Sequence, residues 1–365
     1  LACNELFGAG EGGLIQPPNP SRRFRLSRAH LAINNVTARE LWRDFEIIRG
    51  MVDDLPVNSQ RGAQALTVAN QICNTFDRDD VKSLDACRAL SKAFLNQGSA
   101  STSHVITAVG NCHIDTAWLW PFDETKRKVA RSWSTQVRLL EQYPEFTFAA
   151  SQAQQFKWLK ELYPEVFQQV QAKAQEGRFI PIGGTWVEMD CNMPSGEALV
   201  RQFMFGQRFF EKHFGKRCKV FWLPDTFGYS AQLPQIVRQA DMRYFFTQKL
   251  SWNNINKFPN TTFYWEGLDG SRVLTHMAPS ETYAAQGNVS EVIKSVENHK
   301  DLPYTNESML LYGNGDGGGG PLPAMVDRLL RLQNIDGLPR VKFGDPNEFY
   351  ERVEANSPDL VTWKG

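Results

Sequence analysis

The chain has 365 residues, 42% of them hydrophobic, and its 40 basic and 40 acidic side chains cancel. A chain of this length can bury a large core and form one or two domains. The balanced charge provides no general attraction to nucleic acid or to an anionic membrane surface. No apolar run is long enough to span a bilayer. We therefore expect neither nucleic acid nor a membrane as a partner.

The start of the chain, Leu1-Ala2-Cys3-Asn4-Glu5, lacks the basic and apolar segments of a secretory signal peptide. It also lacks an initiator methionine, so we expect a processed chain or a piece of a longer one. The six cysteines are scattered without a CxxC pair, which predicts free thiols in a reducing compartment and no thiolate zinc site. We interpret the four Asn-x-Ser/Thr triplets as chance matches.

The first hundred residues change character twice. Glycine and proline are concentrated in residues 1–30, which we interpret as a linker or loop. A helical periodicity follows, at Leu41, Phe45, Ile48 and Val52 and again at Ala65, Val68, Ala69 and Ile72. Residues 96–103 form a short polar break. We therefore divide the chain into a linker at 1–30, a helical segment at 31–100 and an α/β domain at 101–365.

In the α/β domain, apolar runs typical of strands alternate with helical stretches. The predicted strands are Val105–Val109, Phe146–Ala150, Phe179–Ile182, Val220–Leu223, Tyr244–Thr247, Thr262–Trp265, Val273–His276, Met309–Tyr312 and Val341–Phe343. Two helical stripes are Val129, Trp133, Val137 and Leu140, then Phe156, Leu159, Leu162 and Phe167. This alternation predicts a mostly parallel sheet with surrounding helices. In such sheets the ligand lies beyond the carboxyl ends of the strands.

His113 and Asp115 follow the first predicted strand directly. Residues at i and i+2 of an extended chain point to the same side, so the pair can bind one divalent metal. The alternative is that Asp115 only caps a following helix. Asp225 follows the Val220–Leu223 strand, between aromatic residues, and could ligate a metal, act as a nucleophile, or both. A simple Pro-Asp turn is the alternative there.

Two further acidic loops follow predicted strands. Glu188 and Asp190 are spaced so that they could share a face and act as general acid/base or bind substrate hydroxyls. Asp316 lies in the glycine-rich run Gly313–Gly320. The run satisfies GxGxxG, but the acid would repel a pyrophosphate, so we reject dinucleotide binding. Glycine lets the backbone approach a ligand closely and leaves this carboxyl free to react; a flexible surface loop is the alternative.

Several of the ten tryptophans lie beside these acidic loops. Core packing is the commoner role of a large aromatic side chain. A flat ring can also stack on the apolar face of a sugar. We therefore name Trp118 and Trp186, with Glu188 and Asp190, as candidate substrate-binding residues.

Several motifs, in order along nearly the whole chain, resemble those of the family 38 glycoside hydrolases, the α-mannosidases, and most closely the cytosolic/vacuolar branch. The matching segments are Gly110–Trp120, Gly183–Glu188, Trp222–Ser230, Gln248–Asn253, Phe263–Ser271 and Gly315–Pro321. The resemblance implies an α/β barrel-like catalytic domain preceded by a helical segment. It also implies a retaining exo-glycosidase whose metal, zinc or in some members cobalt, holds the 2- and 3-hydroxyls of a terminal mannose.

By the same resemblance, His113, Asp115 and Asp225 would ligate the metal, Asp225 would also be the nucleophile, and Asp316 would be the acid/base. Mannose-containing oligosaccharides or glycoproteins would be the substrates. The family's further zinc-binding histidine has no matching motif here, so we expect it, with the later helical and β-sandwich domains, beyond this chain. We expect residues 1–365 alone to bind zinc weakly and to hydrolyse little.

Two other functions remain open as interpretations of the sequence. One is a zinc-dependent carbohydrate deacetylase, which should need further histidines near the metal. For this chain alone, another is a non-catalytic sugar-binding module. The resemblance implies a cytoplasmic protein, with the vacuole as the alternative location, and a homo-oligomer is possible.

Overall fold

The computed structural model describes residues 26–98 and 104–365. The helices are α1 (Val36–Asp54), α2 (Gln60–Thr75), α3 (Ser83–Leu95), α4 (Phe122–Gln142), α5 (Ala153–Leu162), α6 (Pro164–Gln175), α7 (Gly196–Phe214), α8 (Leu233–Gln239), α9 (Val289–Glu297), α10 (Pro323–Arg331) and α11 (Pro346–Asn356). The strands are β1 (Val105–Asn111), β2 (Phe148–Ala150), β3 (Phe179–Pro181), β4 (Val220–Trp222), β5 (Tyr244–Thr247), β6 (Thr262–Glu266), β7 (Arg272–Met277), β8 (Glu307–Tyr312), β9 (Arg340–Phe343) and β10 (Thr362–Lys364).

The strands form two sheets that adjoin. The first has the order β3-β2-β1-β8, and β9 pairs with the beginning of β1 while β2 pairs with its end. The second has the order β10-β6-β7-β5-β4. Gly183, just after β3, donates to the carbonyl of Val220 in β4 at 3.1 Å, and the His276 ring of β7 accepts from the Met309 amide of β8 at 3.1 Å. The sheets thus meet along two lines.

Alternate residues of the strands belong to two different apolar layers. Val220 and Trp222 lie in an inner layer to which β1 to β5, β7 and β8 contribute, whereas Phe221 between them packs outward against the helices. This follows from the alternation of side chains along a strand. A layer enclosed by two adjoining sheets and surrounded by helices confirms the predicted barrel-like, mostly parallel architecture.

The helical segment is present, and its first helix begins at Val36 after an irregular stretch, residues 26–35. Most of the predicted 1–30 linker, and residues 99–103 of the polar break, lie outside the described residues. The division at residues 30 and 100 therefore stays a prediction. Within the described residues, no helix is both long and apolar enough to cross a bilayer.

Apart from shifts of one or two residues at strand ends, the structure differs from the sequence prediction in three places. The single stripe predicted from Phe156 to Phe167 is two helices, because Pro164 has no amide hydrogen to continue the first and instead begins α6. Strands β6 and β7 are antiparallel, since only a short turn joins them. The short strand β10 was not predicted; it pairs with β6 through backbone bonds that carry little sequence signal.

One close approach fixes the loop after β3. Gly206 of α7 lies against the backbone of Gly184 and Thr185, where a β-carbon would stand 2.4 Å from the Gly184 oxygen. Only glycine allows this contact. Helix α7 is therefore packed directly on the main chain that leads to Glu188.

A buried ion-pair network joins the helical segment to the barrel. Asp44 of α1 is 3% exposed and pairs with Arg88 of α3 and with Arg331 of α10, the latter at 2.9 Å. Ser91 also donates to the Asp44 carboxylate. Arg331 also pairs with Glu40, so removing Asp44 would leave the largely buried Arg88 without its carboxylate partner and Arg331 with one acid in place of two.

We therefore expect Asp44→Ala to destabilise the protein by about 3 kcal/mol, because a buried charge pair that loses one partner costs about that much. Asp53→Ala on the same helix is the matched control, since Asp53 is an exposed partner of Arg49 and such pairs contribute about 0–1 kcal/mol. Urea unfolding and hydrogen exchange of α1, α3 and α10 would measure the difference. Equal losses in the two variants would contradict the role assigned to Asp44.

Candidate active site

The candidate site residues lie on loops that follow the parallel strands. His113 and Asp115 follow β1, Glu188 follows β3, Asp225 follows β4 and Lys249 begins the turn after β5. The carboxyl ends of neighbouring parallel strands lie at one edge of a sheet. Residues distant in the sequence therefore meet at the same end of the barrel.

Three of the predicted metal ligands converge on one point. Ligand atoms of His113, Asp115 and Asp225 all lie within 4.8 Å of one another. The Nε2 atom of His113 is 3.4 Å from Asp115 Oδ1 and 3.3 Å from Asp225 Oδ2, yet this buried nitrogen makes no hydrogen bond. One imidazole and two carboxylates form a donor set suited to zinc and similar divalent ions. The three residues thus fit the predicted metal.

The structure also decides between the alternatives for these loops. Helix α4 begins at Phe122 with Pro121 at its N-cap, so Asp115 does not cap it. Pro224 and Asp225 do form a turn, but the Asp225 carboxylate still lies beside the imidazole. The turn therefore presents the acid to the site.

His113 is surrounded by acids. Its side chain is 3% exposed, and its Nδ1 atom lies 2.8 Å from Glu188 Oε2. The ring of Tyr283 contacts it edge-on, with the ring centroids 5.1 Å apart. Burial lowers the pKa of His113, but the three nearby carboxyl groups raise it by more than burial lowers it. The pKa of His113 therefore lies well above its usual value. A divalent cation at Nε2 would take the place of that extra proton.

Asp225 is held by a cation from the next loop. The Lys249 side chain is 3% exposed, and its ammonium pairs with Asp225 Oδ1. The same ammonium lies 3.2 Å from the centroid of the Trp252 ring and 4.6 Å from that of Phe227. Burial raises the pKa of the Asp225 carboxyl, but His113 and Lys249 lower it more, so its pKa is below the usual value. Asp225 is therefore ionised at neutral pH, as a ligand or nucleophile must be.

The glycine-rich loop with Asp316 is firmly tied to α4. Lys128 donates to the Gly317 carbonyl at 3.0 Å and Gln136 to the Gly319 carbonyl at 2.9 Å. Asn314 and Gly320 bond to each other in both directions. These bonds argue against a freely flexible loop, which was the alternative interpretation of the sequence.

Asp316 lies at the exposed tip of this loop in a left-handed conformation, φ 51°. Its neighbour Gly315 lies against the Tyr283 ring and close to the Cβ atom of His113. Asp316 and Asp225 also contribute to raising the pKa of Tyr283, after its burial. Asp316 thus lies beside the metal-ligand cluster without joining it.

The predicted substrate-binding residues have different surroundings. Trp118 is 43% exposed and meets Trp120 edge-on. Trp186 packs on α7 and donates to Gln154. Asp190 is exposed, and its carboxylate accepts from the amides of the two residues that follow Cys191. Glu188 faces His113 instead of sharing a face with Asp190. Their roles in substrate binding stay predictions.

Three other histidines form a separate buried cluster. Thr262 bonds to the rings of His276 and His299, and Ser308 bonds to the ring of His104. Burial lowers the pKa of His104 and of His299 to about 4, so these rings are neutral at neutral pH. Among the described residues, the group of potential metal ligands is His113, Asp115 and Asp225. In the part of the chain that the structure describes, the further histidines that a deacetylase site should need are not beside this group.

The sequence did not single out four side chains that the structure places at the site: Lys249, Tyr283, Ser151 and Gln152. Lys249 was noted only as part of a motif, because a lysine two residues after a strand is ordinarily a solvated surface group. Ser151 and Gln152 likewise follow a strand, β2. Their uncharged side chains gave no reason to select them.

Comparison with known proteins identifies relatives over the whole chain. The chain is 52% identical to human "Alpha-mannosidase 2C1" over all of its 365 residues, which are 35% of that protein. It is 45% identical to "Alpha-mannosidase" of Saccharomyces cerevisiae over 99% of the chain and 35% of the relative. The chain thus spans about a third of the length of these relatives.

The fold is similar to that of a solved structure. An alpha-mannosidase from Enterococcus faecalis V583 superposes with a TM-score of 0.60 at 19% identity, over 72% of this chain and 30% of that one. The model of the "Glycosyl hydrolases family 38 N-terminal domain" matches residues 103–365. The barrel and its acidic edge therefore belong to a member of glycosyl hydrolase family 38, and the chain carries that family's N-terminal domain.

Proposed function

We propose that this chain carries the nucleophile and most of the metal site of a retaining, exo-acting α-mannosidase. Its substrates are terminal α-D-mannose residues of oligosaccharides or glycoproteins. The observation that carries the proposal is the convergence of His113, Asp115 and Asp225 from two separate loops. The names of the relatives supply the sugar.

The residues can be assigned steps on chemical grounds. Zinc, or cobalt in its place, would be held by His113, Asp115 and Asp225 and would supply attraction for the sugar's hydroxyl oxygens. Asp225, kept ionised by Lys249, attacks the anomeric carbon while Asp316 donates a proton to the leaving oxygen. Asp316 then removes a proton from water, whose oxygen bonds to the anomeric carbon as the bond to Asp225 breaks, and this restores the Asp225 carboxylate and the protonated Asp316.

Other residues have supporting roles in the proposal. The exposed face of Trp118 stacks on the sugar, and Trp186 and Asp190 remain candidate substrate contacts. A cytoplasmic location, with the vacuole as the alternative, and a homo-oligomer stay predictions from the sequence. Mannose-containing oligosaccharides remain the expected partners.

The metal site predicts that His113→Asn will lower the bound zinc at least tenfold, because a buried ligand nitrogen is removed. His30→Asn is the control, since His30 is exposed and far from the site in the sequence. Metal content after dialysis, measured by mass spectrometry on the protein at its natural length, gives the result. Chelator treatment of the wild type should also abolish hydrolysis, and added zinc or cobalt should restore it. Equal zinc content in both variants would exclude His113 as a ligand.

Asp225→Asn should reduce kcat at least about 1000-fold, because an amide cannot form the glycosyl ester. Asp123→Asn, on the exposed first turn of α4, should retain wild-type turnover of an aryl α-mannoside. Circular dichroism would check that both variants fold. Hydrolysis that persists in a variant with merely lowered metal affinity would show that Asp225 is not the nucleophile.

Asp316→Ala should slow hydrolysis of natural oligosaccharides roughly 100-fold or more, the range expected for a general acid. It should affect cleavage of a 2,4-dinitrophenyl mannoside much less, because that leaving group departs without a proton. Asp79→Ala, in the exposed loop before α3, is the control. Equal losses on the two substrates would argue against Asp316 as the acid.

A further inference from the structure

Both oxygens of Glu188 face other side chains inside the protein. Oε2 lies 2.8 Å from His113 Nδ1, and Oε1 accepts from the Ser151 hydroxyl at 2.5 Å. The side chain is only 6% exposed. A carboxylate that binds sugar hydroxyls needs an oxygen open to the cleft, whereas this one faces the back of the imidazole. Its surroundings therefore suit support of His113 better than contact with a substrate.

The loop that carries Glu188 is fixed by the residue after Ser151. The Gln152 side-chain oxygen accepts from the Glu188 amide at 3.2 Å and from the Thr116 hydroxyl at 2.6 Å. Its side-chain nitrogen donates to the Ile114 carbonyl at 2.9 Å. Gln152 therefore connects the segment containing His113 and Asp115 to the segment containing Glu188.

Gln152 occupies a conformation that glutamine rarely adopts. Its φ is 70°, in the left-handed region, and the residue is 2% exposed. A non-glycine residue there costs of order 1–3 kcal/mol and persists only where its surroundings hold it. Three side-chain hydrogen bonds to two functional loops provide that hold. The strained residue therefore lies where the loop that contains His113 meets the loop that contains Glu188.

We propose that Glu188 is a positioning residue for His113, supported by Ser151 and Gln152, and not a substrate ligand. The role rests on the proposed metal site. The Glu188 carboxylate, 2.8 Å from Nδ1, favours the tautomer that carries the proton on Nδ1, which leaves the lone pair of Nε2 available beside Asp115 and Asp225. A metal-binding histidine commonly has such an acceptor behind it, which fixes the tautomer and the ring orientation.

The alternative tautomer shows why the acceptor is needed. A neutral imidazole carries one proton, on either nitrogen. Without Glu188, the two carboxylates that lie within 3.4 Å of Nε2 would favour placing that proton on Nε2. A protonated Nε2 cannot bind a cation. Glu188 thus selects the form of His113 that can act as a ligand.

Zinc affinity, measured without substrate by competition with a chelating dye, tests this role. On the protein at its natural length, Glu188→Ala should weaken zinc binding about 10- to 100-fold, the range for loss of such a supporting group. Glu188→Gln keeps an acceptor and loses the charge, so it should fall between Glu188→Ala and the wild type. Glu197→Ala, an exposed acid on α7, is the matched control and should leave zinc affinity unchanged.

Ser151→Ala provides a milder variant if Glu188→Ala does not fold, because it removes one hydroxyl and leaves the carboxylate. It should weaken zinc binding severalfold. At saturating zinc, Glu188→Gln should keep the wild-type KM for an aryl mannoside, with any loss confined to kcat. Unchanged zinc affinity with a raised KM would overturn the proposal and make Glu188 a substrate ligand.

The two proposals fail in different experiments. A wild-type protein that binds zinc but hydrolyses no mannoside would overturn the mannosidase proposal, while the order of zinc affinities would still support the role of Glu188. Active wild-type enzyme with equal zinc affinity in Glu188→Ala and Glu197→Ala would overturn the role of Glu188 and leave the mannosidase proposal standing.

Discussion

Three carboxylates surround one imidazole at the site, and their mutual repulsion must be offset by positive charge. Ligand atoms of Asp115 and Asp225 lie within 4.8 Å of one another, a separation at which two unit charges repel by roughly 3 kcal/mol in a partly buried setting. Glu188 adds a third carboxylate behind the ring. Lys249 neutralises part of this charge, and a divalent cation would neutralise the rest. The charges at this barrel edge are therefore compatible with a bound divalent cation.

Much of the fold could be predicted from the sequence, because buried parallel strands form continuous apolar runs. Tyr244–Thr247 was predicted to the residue, and β1 and β8 differ from prediction only at their ends. The antiparallel pairing of β6 with β7 could not be predicted, since it depends on which strands become neighbours. Likewise, the break at Pro164 separates two helices whose apolar residues continue one periodicity.

For the site, the sequence could indicate which residues follow strands but not where their side chains point. His113, Asp115 and Asp225 were selected by residue type and position, and the structure brings them together. Glu188 was also selected, but its direction is set by contacts with Ser151 and His113 that no local pattern encodes. Lys249 was not selected as a functional residue, because a lysine at a strand end is ordinarily a solvated surface group.

The backbone contact at Gly206 makes the geometry of the site depend on a residue without a functional side chain. Because α7 rests on the main chain at Gly184 and Thr185, one added methyl group at position 206 must displace either the helix or the strand exit. The strand exit leads, four residues later, to Glu188 and so to the imidazole. The position of the imidazole therefore limits which residues α7 can carry at position 206, although this position contributes no polar group to the site.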